Sequence, residues 1–223
     1  MKYVATVLSV LVVCTLAASP AHAHFKLLAP QSWIVENDLG DPQKAGPCGG
    51  TQANPGTPSQ AVNKITGGQK LHIKIQETVY HPGHYRIALA ANRSELPADP
   101  QVTTKESARG PQSVSAVIEK DPKPPLIVDG LFAHTSRMTD PWETDIEIPN
   151  INCAKCTLQI IQFMAEHGLN REGDFSYHHC ADLRSLQIPR NRSTSAGPLL
   201  VKYALSHGER AMPYSQSIGF SSM

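Results

Sequence analysis

Net charge is almost missing from this sequence: 20 lysines and arginines stand against 19 aspartates and glutamates, a formal charge of +1. Without a basic excess there is no electrostatic case for nucleic acid or an anionic membrane surface as partner. Aromatic residues make up only 6 %. After the first two dozen residues, no apolar run approaches the roughly 20 residues of a membrane span. No stretch carries the 3.6-residue period of an amphipathic helix of ordinary length. Cys153-x-x-Cys156 has no second cysteine pair at finger-like spacing, which argues against a zinc site.

What is present begins at the start of the chain. Lys2, an apolar run from Val4 to Ala18 and a small-x-small site ending at Ala23 read as a secretory leader over residues 1–23. Cys14 lies in that leader, after Val12-Val13, and lacks the small residues that precede a lipoprotein cysteine. The expected product is a protein of the periplasm or the cell exterior, monomeric by default, with a domain over 24–188 and a flexible tail over 189–223. Four cysteines remain: Cys48, Cys153, Cys156 and Cys180. An even count in an exported chain argues for two disulfides, with three connectivities open.

The patterning is that of strands. Leu71, Ile73 and Ile75 alternate with Lys70, His72, Lys74 and Gln76, which predicts a half-buried strand over 70–77 with His72 facing solvent. His81-Pro82-Gly83-His84 predicts a turn, and Tyr85 to Ala90 the next strand, so two histidines stand at a hairpin tip. Residues 91–143 read as a polar, proline-rich excursion with short strands near 113–118 and 126–128. Thr144 to Ile148, Cys156 to Met164 and Tyr177 to Leu183 complete the strand set. The stretch 37–68, rich in Gly, Pro and Asn, is too long to be bare in a compact domain unless pinned or functional. Many short strands without helices favour a β-sandwich, immunoglobulin- or fibronectin-like, with long loops.

Cleavage after Ala23 would make His24 the first residue. Its α-amine, with a reference pKa of about 8, and its imidazole, at about 6.5, both offer lone pairs at neutral pH. They close a chelate on one metal ion, and one further imidazole gives three nitrogens in a plane, a set that suits Cu(II). Among ten histidines, His81 is the candidate for that imidazole, with His84 and the pair His178-His179 as rivals. His134, His167 and His207 sit in loop-like contexts and read as ordinary polar residues. On the central strand Gln162 shares a face with Leu158 and Ile160, so its amide must find a partner. Tyr177 shares a face with His179.

The exposed His24, the run from Glu77 to Leu89 (ETVYHPGHYRIAL), Cys153 to Gln159 (CAKCTLQ) and Tyr177 to Leu183 (YHHCADL) together resemble the lytic polysaccharide monooxygenases, nearest to their chitin- and cellulose-active branches. The resemblance runs over about 24–184 and is loose across 91–143. It implies one copper ion in a histidine brace of His24 and His81, with Tyr177 at the axial aromatic position. If Tyr177 faces copper, Gln162 or His179 would order the oxidant from behind. It implies the pairs Cys48 with Cys180 and Cys153 with Cys156. It also implies oxidative cleavage of a polysaccharide such as chitin or cellulose at C1 or C4, with electrons from an external donor. Two positions depart from the pattern: Phe25 follows the first histidine where glycine is frequent, and Phe175 stands where a Glu or Gln is usual. Trp33, Tyr80, Tyr85 and Trp142 are the few aromatics available for a glycan surface. The competing readings are a copper acquisition or storage protein with the same brace, and a carbohydrate-binding module without metal.

Overall fold

The computed structural model describes residues 24–188. The leader and the tail expected from the sequence lie outside these residues. Within them the chain forms ten strands, β1 (His24–Ala29), β2 (Asn63–Thr66), β3 (Lys70–Val79), β4 (Gly83–Ala90), β5 (Val102–Ser107), β6 (Gly110–Ala116), β7 (Leu126–His134), β8 (Trp142–Glu147), β9 (Cys153–Met164) and β10 (Ser176–Leu186). The single helical element among them is a three-residue 3-10 turn at Arg93–Glu95. No described helix is long and apolar enough to cross a membrane.

The fold is an all-β sandwich. One sheet has the order β1-β3-β8 and the other β2-β10-β9-β4-β7, while β5 and β6 pair as a separate hairpin. Alternation in β3 explains the first sheet: Ile73 and Ile75 are buried while Lys70 and His72 are exposed. These side chains, with Phe25, Leu27 and Ile146, meet Tyr85, Ile87, Leu158, Ile160, Tyr177 and Leu183 from the second sheet in one core. Each large apolar side chain buried there contributes roughly 1.5–3 kcal/mol. Strand β9 is buried on both faces from Cys156 to Met164, because loop residues cover its outer side. Gln159 Nε2 donates to the Pro47 carbonyl at 3.0 Å, and the His178 amide donates to the Gln43 carbonyl at 2.7 Å.

The loop expected to need pinning is pinned. Cys48 pairs with Cys180 across 132 residues of sequence, and Cys153 pairs with Cys156. Two disulfides fit an oxidising, extracellular or periplasmic compartment. The same loop is stitched to β1: the Phe25 amide donates to Gln43 Oε1 at 3.1 Å. Gly40, at φ +100°, lies so close to the Phe25 carbonyl that any Cβ would collide with it.

Two expectations change. Strands β3 and β4 do not form a hairpin: they belong to different sheets, so residues 80–82 carry the chain across the sandwich. The apolar face of each strand has to meet the other sheet, and pairing side by side would not bury both. His84 is accordingly an inner residue of β4 and not a turn residue. The excursion 91–143 is also more ordered than its composition indicates, since it holds the β5–β6 hairpin and the nine-residue β7.

Candidate metal centre

Strand register brings the two principal histidines to one end of the sandwich. His24 opens β1 and is the Cα partner of Val79, the last residue of β3. His81 follows two residues later in the sheet-crossing turn. From the second sheet, Tyr177 on β10 sets its ring 5.2 Å from that of His24 at 63°. His167, just beyond β9, lies 4.9 Å from the His81 ring and 6.2 Å from that of Tyr177. Four rings therefore run His24, Tyr177, His167, His81.

The ring nitrogens have polar neighbours that bear on their tautomers. His24 Nε2 lies 3.1 Å from Asp41 Oδ2; a carboxylate accepts, so the neutral ring carries its hydrogen on Nε2 and its lone pair on Nδ1. His81 Nδ1 lies 3.4 Å from the Ala165 carbonyl. A carbonyl accepts, so that contact favours hydrogen on Nδ1. His167 Nδ1 faces the Gly168 carbonyl at 2.5 Å.

Tyr177 is fully buried, and burial, reinforced by the charge of Asp41, pushes its hydroxyl pKa well up. It stays a neutral phenol.

Behind His81 sits a buried carboxylate. Glu77 Oε1 accepts from the His81 amide at 3.3 Å, from His134 Nε2 at 3.2 Å and from Gln162 Nε2 at 3.0 Å. Burial lowers the pKa of His134, but its hydrogen bonds to Glu77 and Phe132 outweigh this and raise it. Gln162 thus donates its amide nitrogen to a side chain and not to backbone, while its Oε1 makes no hydrogen bond to another protein group. His179 turns elsewhere: Nε2 lies 3.2 Å from the Phe25 carbonyl, and Nδ1 lies 3.3 Å from Glu36 Oε1 without hydrogen-bond alignment. Burial pushes His179 down to about 4 and Glu36 up to about 7.

The other rivals are engaged. His178 bonds the Lys44 carbonyl and Asp99 at 3.0 and 2.8 Å. His84 is buried, with Nε2 3.8 Å from Asp129, and burial lowers its pKa. His72 is exposed beside Asp145 and Glu143, as its strand position predicts.

The structure thus joins His24, His81 and Tyr177 by rings, links Gln162 to them through Glu77, and points His179 toward Phe25 and Glu36. Sequence reasoning passed over His167, His134, Asp41 and Glu77. For Glu77 a signal existed: it continues the inward series Leu71, Ile73, Ile75, where a carboxylate is out of place. His167 and Asp41 lie in loops without periodicity.

Among the described residues no group of three or more His, Cys, Asp or Glu side chains is placed to hold a metal ion. A brace asks for less, two imidazoles and an α-amine, a set too small in His, Cys, Asp and Glu side chains to count as such a group. The donor chemistry fits copper.

Beside Tyr177 and His167 opens a depression of about 650 Å³, lined also by Lys44, Arg109, Glu166 and Arg171. No aromatic side chain among the described residues is fully exposed. Tyr85 is buried, the Trp33 indole donates to the Cys48 carbonyl at 2.7 Å, and Trp142 stacks on Phe132 at 5.5 Å. No family model matches the chain, and no curated protein is significantly similar to it.

Proposed function

We propose that this is an exported mononuclear copper protein in which His24, freed as the first residue, and His81 hold one Cu(II), and that it oxidises a polysaccharide. The observation that carries the copper reading is the run of rings His24, Tyr177, His167 and His81 at one end of the sandwich. In this reading Nδ1 of His24 would chelate together with the α-amine, and Nε2 of His81 would supply the third nitrogen. Copper so held supplies one-electron chemistry toward oxygen or peroxide once an external donor has reduced it. The chain's own residues hold and shield: Asp41 orients the His24 ring, Tyr177 covers one side as a neutral phenol, and Glu77 anchors the main chain of His81. The polysaccharide comes from the motif resemblance alone.

A second reading, copper acquisition or storage without glycan oxidation, is favoured by Phe175, which places a buried hydrocarbon where the resemblance asks for a polar group. The four candidate aromatics, Tyr85 buried and Trp33, Tyr80 and Trp142 half-buried, favour it as well.

A copper titration with electron paramagnetic resonance, on chain beginning at His24 and on chain with one extra residue before it, tests the site. One tight copper with a nitrogen-dominated tetragonal spectrum in the first and weak binding in the second supports the brace. Equal binding by both rules it out. Pull-down on chitin and cellulose, with analysis of oxidised products, then separates enzyme from carrier.

A further inference from the structure

Glu77 stands next to both proposed ligands, through its backbone on the His24 side and its carboxylate on the His81 side. It is the Cα partner of Phe25, the residue after His24, across the β1–β3 pair. Its Oε1 atom also accepts from the main-chain amide of His81. The same atom reaches into the other sheet, to Gln162 on β9 and His134 on β7. One buried oxygen thus ties both sheets together at the corner where the chain crosses between them.

Fold stability does not account for this arrangement. Glu77 Oε2, Tyr85 Oη, Gln162 Oε1 and Trp142 Nε1 are all buried and make no hydrogen bond to another protein group. An apolar cluster of the same shape would avoid those losses, because buried polar groups left unmade are costly. What an apolar cluster could not do is fix the His81 amide in space.

We propose that Glu77 is the positioning residue of the copper site, setting where the His81 imidazole stands relative to His24. The inference rests on the reading of His24 and His81 as copper ligands.

The test uses the processed chain beginning at His24, as wild type and as Glu77→Gln, Gln162→Met and Tyr85→Phe. Each is loaded with Cu(II) for electron paramagnetic resonance and titrated against a competing chelator. Glu77→Gln is expected to shift the copper hyperfine splitting and to weaken affinity about tenfold. Gln162→Met, which releases one restraint on the carboxylate, shifts the spectrum the same way by less. Tyr85→Phe leaves spectrum and affinity as in wild type.

If Glu77→Gln does not fold, Gln162→Met decides. Wild-type behaviour in the folded Glu77 or Gln162 variants overturns the inference and leaves the copper reading standing. So does an equal shift in Tyr85→Phe. If the wild type itself binds no copper, the copper reading falls and the inference with it.

Discussion

Asp41 Oδ2 lies 3.1 Å from Nε2 of His24, the ring nitrogen away from the main chain. The contact depends on the loop: Gly40 lies against the Phe25 carbonyl and Gln43 caps the Phe25 amide, so Asp41, the first of the two residues between them, is delivered to the His24 ring. Outer partners of metal-bound imidazoles orient the ring and raise its basicity. Asp41→Ala should therefore weaken Cu(II) binding about 10- to 100-fold, measured by chelator competition. Unchanged affinity would reduce the contact to a surface ion pair.

Glu36 and His179 predict a flat acid-stability profile. Burial raises Glu36 to about 7 and lowers His179 to about 4. The raised Glu36 contributes stability that is complete below its unfolded value and is lost as pH rises through about 7. The depressed His179 contributes stability present above its unfolded value and lost as pH falls through about 4. Between roughly pH 4.5 and 6.5, folded and unfolded chains each hold one proton on this pair, so its net slope is near zero. In Glu36→Gln only the histidine remains, and stability should fall by about 1.4 kcal/mol per pH unit on acidification across that window. Denaturant melts at several pH values read this directly. A wild type as steep as the variant would contradict it.

How much of this was legible in the sequence depends on periodicity. Strand β3 declared itself through Leu71, Ile73 and Ile75, and β9 through its long apolar run, because burial on a pleated surface imposes those patterns. The sheet to which each strand belongs was not legible: the turn at His81 to His84 looks like a hairpin tip, and only packing of β3 against β4 across the core shows the crossing. His24, His81 and Tyr177 stand out in the sequence through motif order and cleavage position, and the structure brings their rings to one end of the sandwich. Asp41 and His167 do not stand out, since loop residues reach a site through contacts that carry no period. Glu77 was legible in principle, as a carboxylate in an inward series.

Tyr85 offers a test of the polar cluster that involves no metal. Its side chain is fully buried, yet its hydroxyl has no hydrogen-bond partner. Removing an unsatisfied buried hydroxyl relieves a desolvation cost, so Tyr85→Phe should raise unfolding stability by about 1 kcal/mol in urea melts. A loss of similar size would mean that the hydroxyl is bonded to an internal water and is part of a satisfied network.

The two disulfides should differ sharply in what they stabilise. Cys48–Cys180 closes a span of 132 residues, whereas Cys153–Cys156 closes one of three. Restricting the unfolded chain matters more for the longer loop, so the Cys48→Ala/Cys180→Ala variant should lose about 2–5 kcal/mol. Cys153→Ala/Cys156→Ala should lose much less. The longer link also holds the loop that carries Asp41: Cys48 is tied to β10, and the Gln43 carbonyl accepts from the His178 amide on the same strand. Losing it should therefore weaken copper binding in protein that is still folded, whereas losing the short one should not. Copper affinity measured on both double variants, at a temperature where each is shown to be folded, separates the two effects. Equal affinities would mean that contacts along β1, not the disulfide, keep Asp41 at His24.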